Sequence, residues 1–216
     1  MNENIRCLIE SANRGDIESM VMVGDCYGHG LYIEKDLDMS HKYYQMAADK
    51  GHVYATFLIG IDYYNGIGVA ENKTLGIKYI QSAADKGVAN AQYMMGMLYD
   101  SGEMGKLFKK KKVVHYYTEA ANQGHAMAQI KLGDMNIQNK GSDFSLKNAI
   151  FWLACAFLHG DNAKEESDMA MDRLNFLIRS DIPGGKRRIE EVIEMVHKNY
   201  PTLIANPPQT PINTYK

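Results

Sequence analysis

The sequence predicts an all-α chain, an α/α solenoid in which helical hairpins stack into a right-handed superhelix closed by a C-terminal helical cap. Three observations carry this reading. Glycines at 15, 51, 87, 124 and 160 fall 36, 36, 37 and 36 residues apart. Near-copies of one phrase accompany them: AADKGH at Ala47–His52, AADKG at Ala83–Gly87 and AANQGHA at Ala120–Ala126. All five prolines lie at or beyond Pro183, so the first 182 residues contain none and permit helices throughout. A fixed period of this length is the mark of a repeat architecture, in which each unit buries its apolar face against the next.

Taken in order, residues 1–15 read as the second helix of a partial unit ending at Gly15. Four full units follow at 16–51, 52–87, 88–124 and 125–160. Each unit holds two helices, A then B. A glycine recurs in the middle of helix A at Gly24, Gly60, Gly96 and Gly133. Mid-helix glycine costs about 0.5–1 kcal/mol against alanine, so its return in every unit implies a neighbour too close for a side chain. Tyr27, Tyr63 and Tyr99 follow three residues later, and Asn136 breaks that column. In the best-formed unit helix A covers about 55–64, with Ala55, Ile59 and Tyr63 on one face. Glycines at 28 and 30, 66 and 68, and 102 and 105 then stop the helix, because glycine accepts the left-handed C-cap conformation.

Helix B starts after a polar cap, Asp36, Asn72 or Ser145. It carries an aromatic column at Tyr43, Tyr79, Tyr116 and Trp152, four residues before Ala47, Ala83, Ala120 and Ala156. Beyond Gly160 the period decays. Residues 163–179 and 186–199 still read as helices, split by the turn at 181–185, with Ile189, Val192, Ile193 and Val196 on one face. Residues 161–200 are therefore expected to cap the array, and the proline-rich 201–216 to form an extended or disordered tail.

These columns resemble the Sel1-like repeat, a relative of the tetratricopeptide repeat. Its pattern A-x-x-x-L-G-x-x-Y-x-x-G-x-G-V, closed by W/Y-x-x-x-A-A-x-x-G, is met best in the second unit. There it takes Ala55, Ile59, Gly60, Tyr63, Gly66, Gly68, Val69, Tyr79, Ala83, Ala84 and Gly87. The third unit carries one extra residue before Lys109; the fourth keeps Leu132, Gly133 and Trp152 but lacks the tyrosine. The resemblance implies a non-enzymatic adaptor or scaffold that binds a protein or peptide, with helix A lining a concave face. A narrower form of it is an inhibitor such as an immunity protein for a bacterial toxin. Cysteine-rich relatives imply a β-lactam-binding or hydrolysing enzyme instead, but they carry a cysteine pair in every repeat, whereas this chain has three cysteines in all.

On helix A the columns that vary between units are two residues before the glycine and one after it: Met22 and Asp25, Leu58 and Ile61, Met94 and Met97, Lys131 and Asp134. With Tyr54 they give a binding strip, apolar at Tyr54, Leu58, Ile61, Met94 and Met97. Its rim is polar at Glu18, Asp25, Lys131 and Asp134. Methionine suits such a strip because it is flexible and polarizable. The other reading of the same columns is inter-repeat core.

Composition narrows the field of functions. Lys plus Arg number 24 against 26 Asp plus Glu, a net charge of −2, which tells against a nucleic-acid partner. No apolar run reaches the length of a membrane span, and the N-terminal residues lack a secretory apolar core, so a cytoplasmic protein is expected. Cys7, Cys26 and Cys155 suggest packed free thiols, and no His–Cys spacing suggests a metal or other cofactor. The run Lys109–Lys112, with Lys106, opens a helix against the macrodipole; it reads as a solvated face, with an acidic partner as the alternative. A homo-oligomer is allowed but not indicated.

Overall fold

The computed structural model describes residues 3–105, 109–138, 143–159, 164–179, 186–187, 189–195 and 198. Among these residues the chain is all-helical, with consecutive helices paired as hairpins: α1 (Glu3–Asn13), α2 (Ile17–His29), α3 (Leu37–Asp49), α4 (Val53–Asn65) and α5 (Lys73–Asp85), then α6 (Ala89–Ser101), α7 (Lys109–Asn122), α8 (Ala126–Gln138), α9 (Asp143–His159) and α10 (Lys164–Arg179). Two compact units emerge, Met1–Gln92 and Tyr93–Lys216.

In the first unit α2 and α4 are A helices, and α3 and α5 are their B partners. Helix α4 runs from Val53 to Asn65, slightly longer than the expected 55–64. Gly30 and Gly66 end α2 and α4 in the left-handed conformation, with φ of 70° and 71°. Asp36 and Asn72 cap α3 and α5 as expected, accepting from the amides of Met39 and Leu75 at 3.0 Å. The third expected cap is corrected: α9 already begins at Asp143, so Ser145 stands inside the helix.

The mid-helix glycines explain the packing. A methyl group at Gly24 would lie 2.5 Å from the Tyr44 ring, and one at Gly60 would lie 2.7 Å from Ile80 Cγ1 and 2.9 Å from the Ile80 amide nitrogen. In the second unit Gly96 receives Tyr117 and Gly133 receives Leu153 in the same way. Each glycine is thus a hole filled by a helix-B side chain of its own repeat. Around the holes the small and aliphatic columns are buried: Ala55, Ile59, Ala83 and Ile80 in the first unit, Met95, Leu132, Ala120 and Ala128 in the second.

The aromatic columns pair by stacking. Tyr27 lies on Tyr43 at 5.9 Å, Tyr63 on Tyr79 at 5.8 Å, and Tyr99 on Tyr116 at 5.7 Å. In the fourth repeat Asn136 turns back to the Leu132 carbonyl, and Trp152 meets Phe151 edge-on. Buried glutamines join successive repeats. Gln92 reaches the Ala84 carbonyl in the first unit and Gln129 the Ala121 carbonyl in the second, each a second donor to a carbonyl that already accepts from the Gly87 or Gly124 amide.

The second unit closes on α10. Leu174 and Leu177 bury against Ile150, Leu153 and Ile189, with Val192 and Ile193 partly covered beside them. The expected turn at 181–185, Val196 and the expected tail at 201–216 lie outside the described residues.

Candidate functional site

The candidate strip divides between the two units. In the first, Met22 and Asp25 lie on α2, and Tyr54, Leu58 and Ile61 on α4. Met22 is 53% exposed and Tyr54 42%, while Asp25, Leu58 and Ile61 are half-buried. Glu18 and Met22 are four residues apart and Met22 and Asp25 three apart, one face of a helix. Tyr54, Leu58 and Ile61 repeat that spacing on α4. The start of α2 is tied to the residue before α4, since His52 Nε2 stands 3.4 Å from Glu18 Oε1. Tyr54 also leans on Phe57, ring centroids 5.9 Å apart.

In the second unit Met94 and Met97 lie on α6, and Lys131 and Asp134 on α8. Met97 is 38% exposed, and Met94, Lys131 and Asp134 are half-buried. The rim carboxylate of Asp134 is already engaged, accepting from Arg173 Nε of α10 at 2.7 Å. None of the nine strip residues is buried; the buried positions of α2 and α4 include the glycine column and Ala55 together with Met20, Val23, Phe57 and Ile59.

Polar contacts join the A helices to the B helices behind them. Tyr44 donates its hydroxyl to Asp25 Oδ1 at 2.7 Å, and burial, aided by Asp25, pushes the phenol well above its ordinary range. Asp62, buried on α4, pairs with His41 Nδ1 of α3 at 2.9 Å, and the His41 ring meets Tyr63 edge-on at 5.2 Å. Burial raises the Asp62 carboxyl while the His41 contact pulls it back.

Two histidines, each directly after a repeat-closing glycine, act as helix caps. His52 Nδ1 accepts from the Ala55 amide at 3.0 Å, and His125 Nδ1 from the Ala128 amide at 3.3 Å. An accepting Nδ1 is unprotonated, which places the ring proton on Nε2. His125 also stacks on Tyr93 at 4.4 Å, and burial lowers its pKa. The shared column was legible in the sequence; its capping role was not.

Lys112 of the lysine run, itself exposed, reaches back to Tyr99. Its Nζ donates to Tyr99 Oη at 2.7 Å and sits 4.7 Å above that ring, and the hydrogen bond raises its pKa. Lys110 and Lys111 are exposed. Lys106 and the Lys109 side chain lie outside the described residues. Burial pushes the Cys155 thiol up to about 12, so it remains an unreactive core group. Among the described residues no three His, Cys, Asp or Glu side chains are grouped to hold a metal ion. No helix among them is long and apolar enough to cross a membrane.

The fold recurs in solved structures. A protective antigen present in uropathogenic Escherichia coli strains, displaying an SLR fold, matches with a TM-score of 0.66 and 21% identity over 92% of this chain and 41% of that one. A Sel1 repeat protein from Oxalobacter formigenes matches with a TM-score of 0.62 and 26% identity over 74% of this chain and 48% of that one. The chain therefore spans less than half the length of both. An immunity protein from Pseudomonas aeruginosa matches with a TM-score of 0.53 and 19% identity over 94% of this chain and 74% of that one. No curated protein matches the sequence. The model of the Sel1 repeat matches four times, at residues 17–52, 53–88, 89–125 and 126–161. With more than half of its length in those four matches, and with the hole-and-knob hairpins that they delimit, the chain belongs to the Sel1 repeat family.

Proposed function

We propose that the chain is a non-catalytic interaction module, working without a cofactor, that holds a partner protein or peptide on the outward face of its A helices. One observation carries the reading. Helix A directs its glycine and alanine columns into the packing of its own hairpin, yet leaves large apolar side chains in solvent at Met22, Tyr54 and Met97. The three stand in different columns of one helical stripe, and large apolar groups exposed along such a stripe mark an interaction surface. A narrower form is an inhibitor that neutralises one partner; the fold shared with an immunity protein suggests it.

The test is capture of a partner from the native cell by wild type and by a Tyr54→Lys/Met97→Lys variant. Retained helicity by circular dichroism would show the variant folded. Loss of the partner from the folded variant supports the face; retention moves the binding surface elsewhere. An inhibitory role further requires that the captured protein lose its own activity on binding.

A further inference from the structure

The A helices of the first unit are electrically one-sided. Across α2 and α4 there is no Lys or Arg, although the chain has 24. The basic residues of that unit lie on α1, α3 and α5 (Arg6, Lys42, Lys73, Lys78) or in connecting segments (Arg14, Lys35, Lys50, Lys86). The carboxylates of α2 and α4 are Glu18, Asp25 and Asp62. Asp62 is buried against His41 and takes no part in the outward face. Glu18 and Asp25 do. The Glu18 side chain is 77% exposed beside His52, and the Asp25 carboxylate receives the neutral hydroxyl of Tyr44. Between them on the same face stands Met22, with Tyr54 and Leu58 at the matching register of α4.

We propose that this face takes a cationic, apolar peptide segment of a partner protein. Its apolar side chains cover Met22, Tyr54 and Leu58, and a Lys or Arg reaches Glu18 and Asp25. The inference rests on the reading of the A helices as the binding face and specifies its ligand. The physical reason is the cost of desolvation. A neutral segment laid over Met22 would strip water from two carboxylates and return no partner charge, and an acidic one would add repulsion. A guanidinium or ammonium restores that loss, and Arg does so with two parallel hydrogen bonds to one carboxylate.

The experiment is selection of phage-displayed random short peptides on the immobilised full-length chain, followed by fluorescence anisotropy of synthetic winners. The expected pool combines apolar residues with Lys or Arg. Binding should fall at least about tenfold in Tyr54→Ser or in Met22→Ser, the second substitution guarding against a fold defect in the first. It should fall about fivefold to tenfold in Glu18→Gln/Asp25→Asn, whose amides keep size and the acceptor for Tyr44, and should weaken with added salt. Neutral or acidic winners that still depend on Tyr54 overturn the charge assignment and leave the face standing. No enrichment, or winners indifferent to both Tyr54→Ser and Met22→Ser, overturns both. Sedimentation showing a dimer that Tyr54→Ser dissolves would make a second copy the occupant and also overturn the proposal.

Discussion

The hydroxyl of Tyr44 donates to the carboxylate of Asp25, one residue beyond the glycine that its ring fills. Tyr117 fills Gly96 in the same manner, but the residue after that glycine is Met97. The Tyr117 hydroxyl is buried and has no hydrogen-bond partner among the described residues. Tyr44→Phe should therefore cost about 1–2 kcal/mol, since it also leaves a half-buried carboxylate unserved, whereas Tyr117→Phe should be neutral or mildly stabilising. Urea denaturation of the two variants decides it; equal losses would mean that the Tyr44–Asp25 bond contributes little.

Gly60→Ala should be the most damaging of the four mid-helix glycine substitutions, at about 3 kcal/mol. At Gly24, Gly96 and Gly133 an added methyl meets side chains, which can move. At Gly60 it also meets the Ile80 amide nitrogen at 2.9 Å and the Gly76 carbonyl at 3.1 Å, so the α4 and α5 backbones must part. Thermal unfolding of the four alanine variants would rank them.

His41→Ala should destabilise the first unit by about 3 kcal/mol, because it abandons Asp62 as a buried, unpaired carboxylate. Asp62→Asn keeps an acceptor for His41 and should cost much less. If chemical denaturation finds the two variants equal, the carboxylate charge is not what His41 serves.

Stability of the second unit should fall as pH drops from about 7 through 6.5, the ordinary value for histidine. Burial lowers the folded pKa of His125, against smaller opposing effects from the local backbone and Glu166. Across that window the unfolded chain binds a proton that the folded chain refuses. The contribution is absent above the window and levels off once pH passes below the folded pKa; its slope is at most about 1.4 kcal/mol per pH unit. His125→Asn retains a capping oxygen and removes the titration, so the slope should flatten. Fluorescence of Trp152, the sole tryptophan and buried in this unit, reports it directly. An unchanged slope in the variant would assign the effect to another group.

Tyr32→Gly should raise stability by up to about 1 kcal/mol. Tyr32 holds a left-handed φ of 63° at the position where the next repeat has Gly68, also at 63°, and its side chain is 75% exposed. A melting temperature that drops instead would show that its ring makes a stabilising contact.

What the sequence revealed follows from the kind of interaction involved. Glycine holes, stacked tyrosines and the alanine column repeat because every hairpin must solve the same packing problem, and repetition makes them visible in one chain. The caps Asp36 and Asn72 were legible for the same reason. Ser145 was not, because the fourth repeat starts its B helix earlier. Contacts found once have no column to betray them: His41 with Asp62 spans 21 residues, and Arg173 with Asp134 spans 39. Sequence spacing singled out a stripe of helix A whose residues are not buried, but not that Asp134 is already paired or that His52 and His125 close the first turns of α4 and α8.

Each glycine and the side chain that fills it fall inside a single match to the family's repeat: 24 with 44, 60 with 80, 96 with 117, and 133 with 153. The lock inside each hairpin is therefore inherited whole whenever one such segment of the gene is copied, lost or moved, whereas the close approach of Gly68 to the Leu37 carbonyl crosses from one segment to the next. Recombination between segments can lengthen or shorten the array without breaking any lock. Only junction contacts, such as His41 with Asp62, must be found anew, so neighbours can change while the hairpins stay the same.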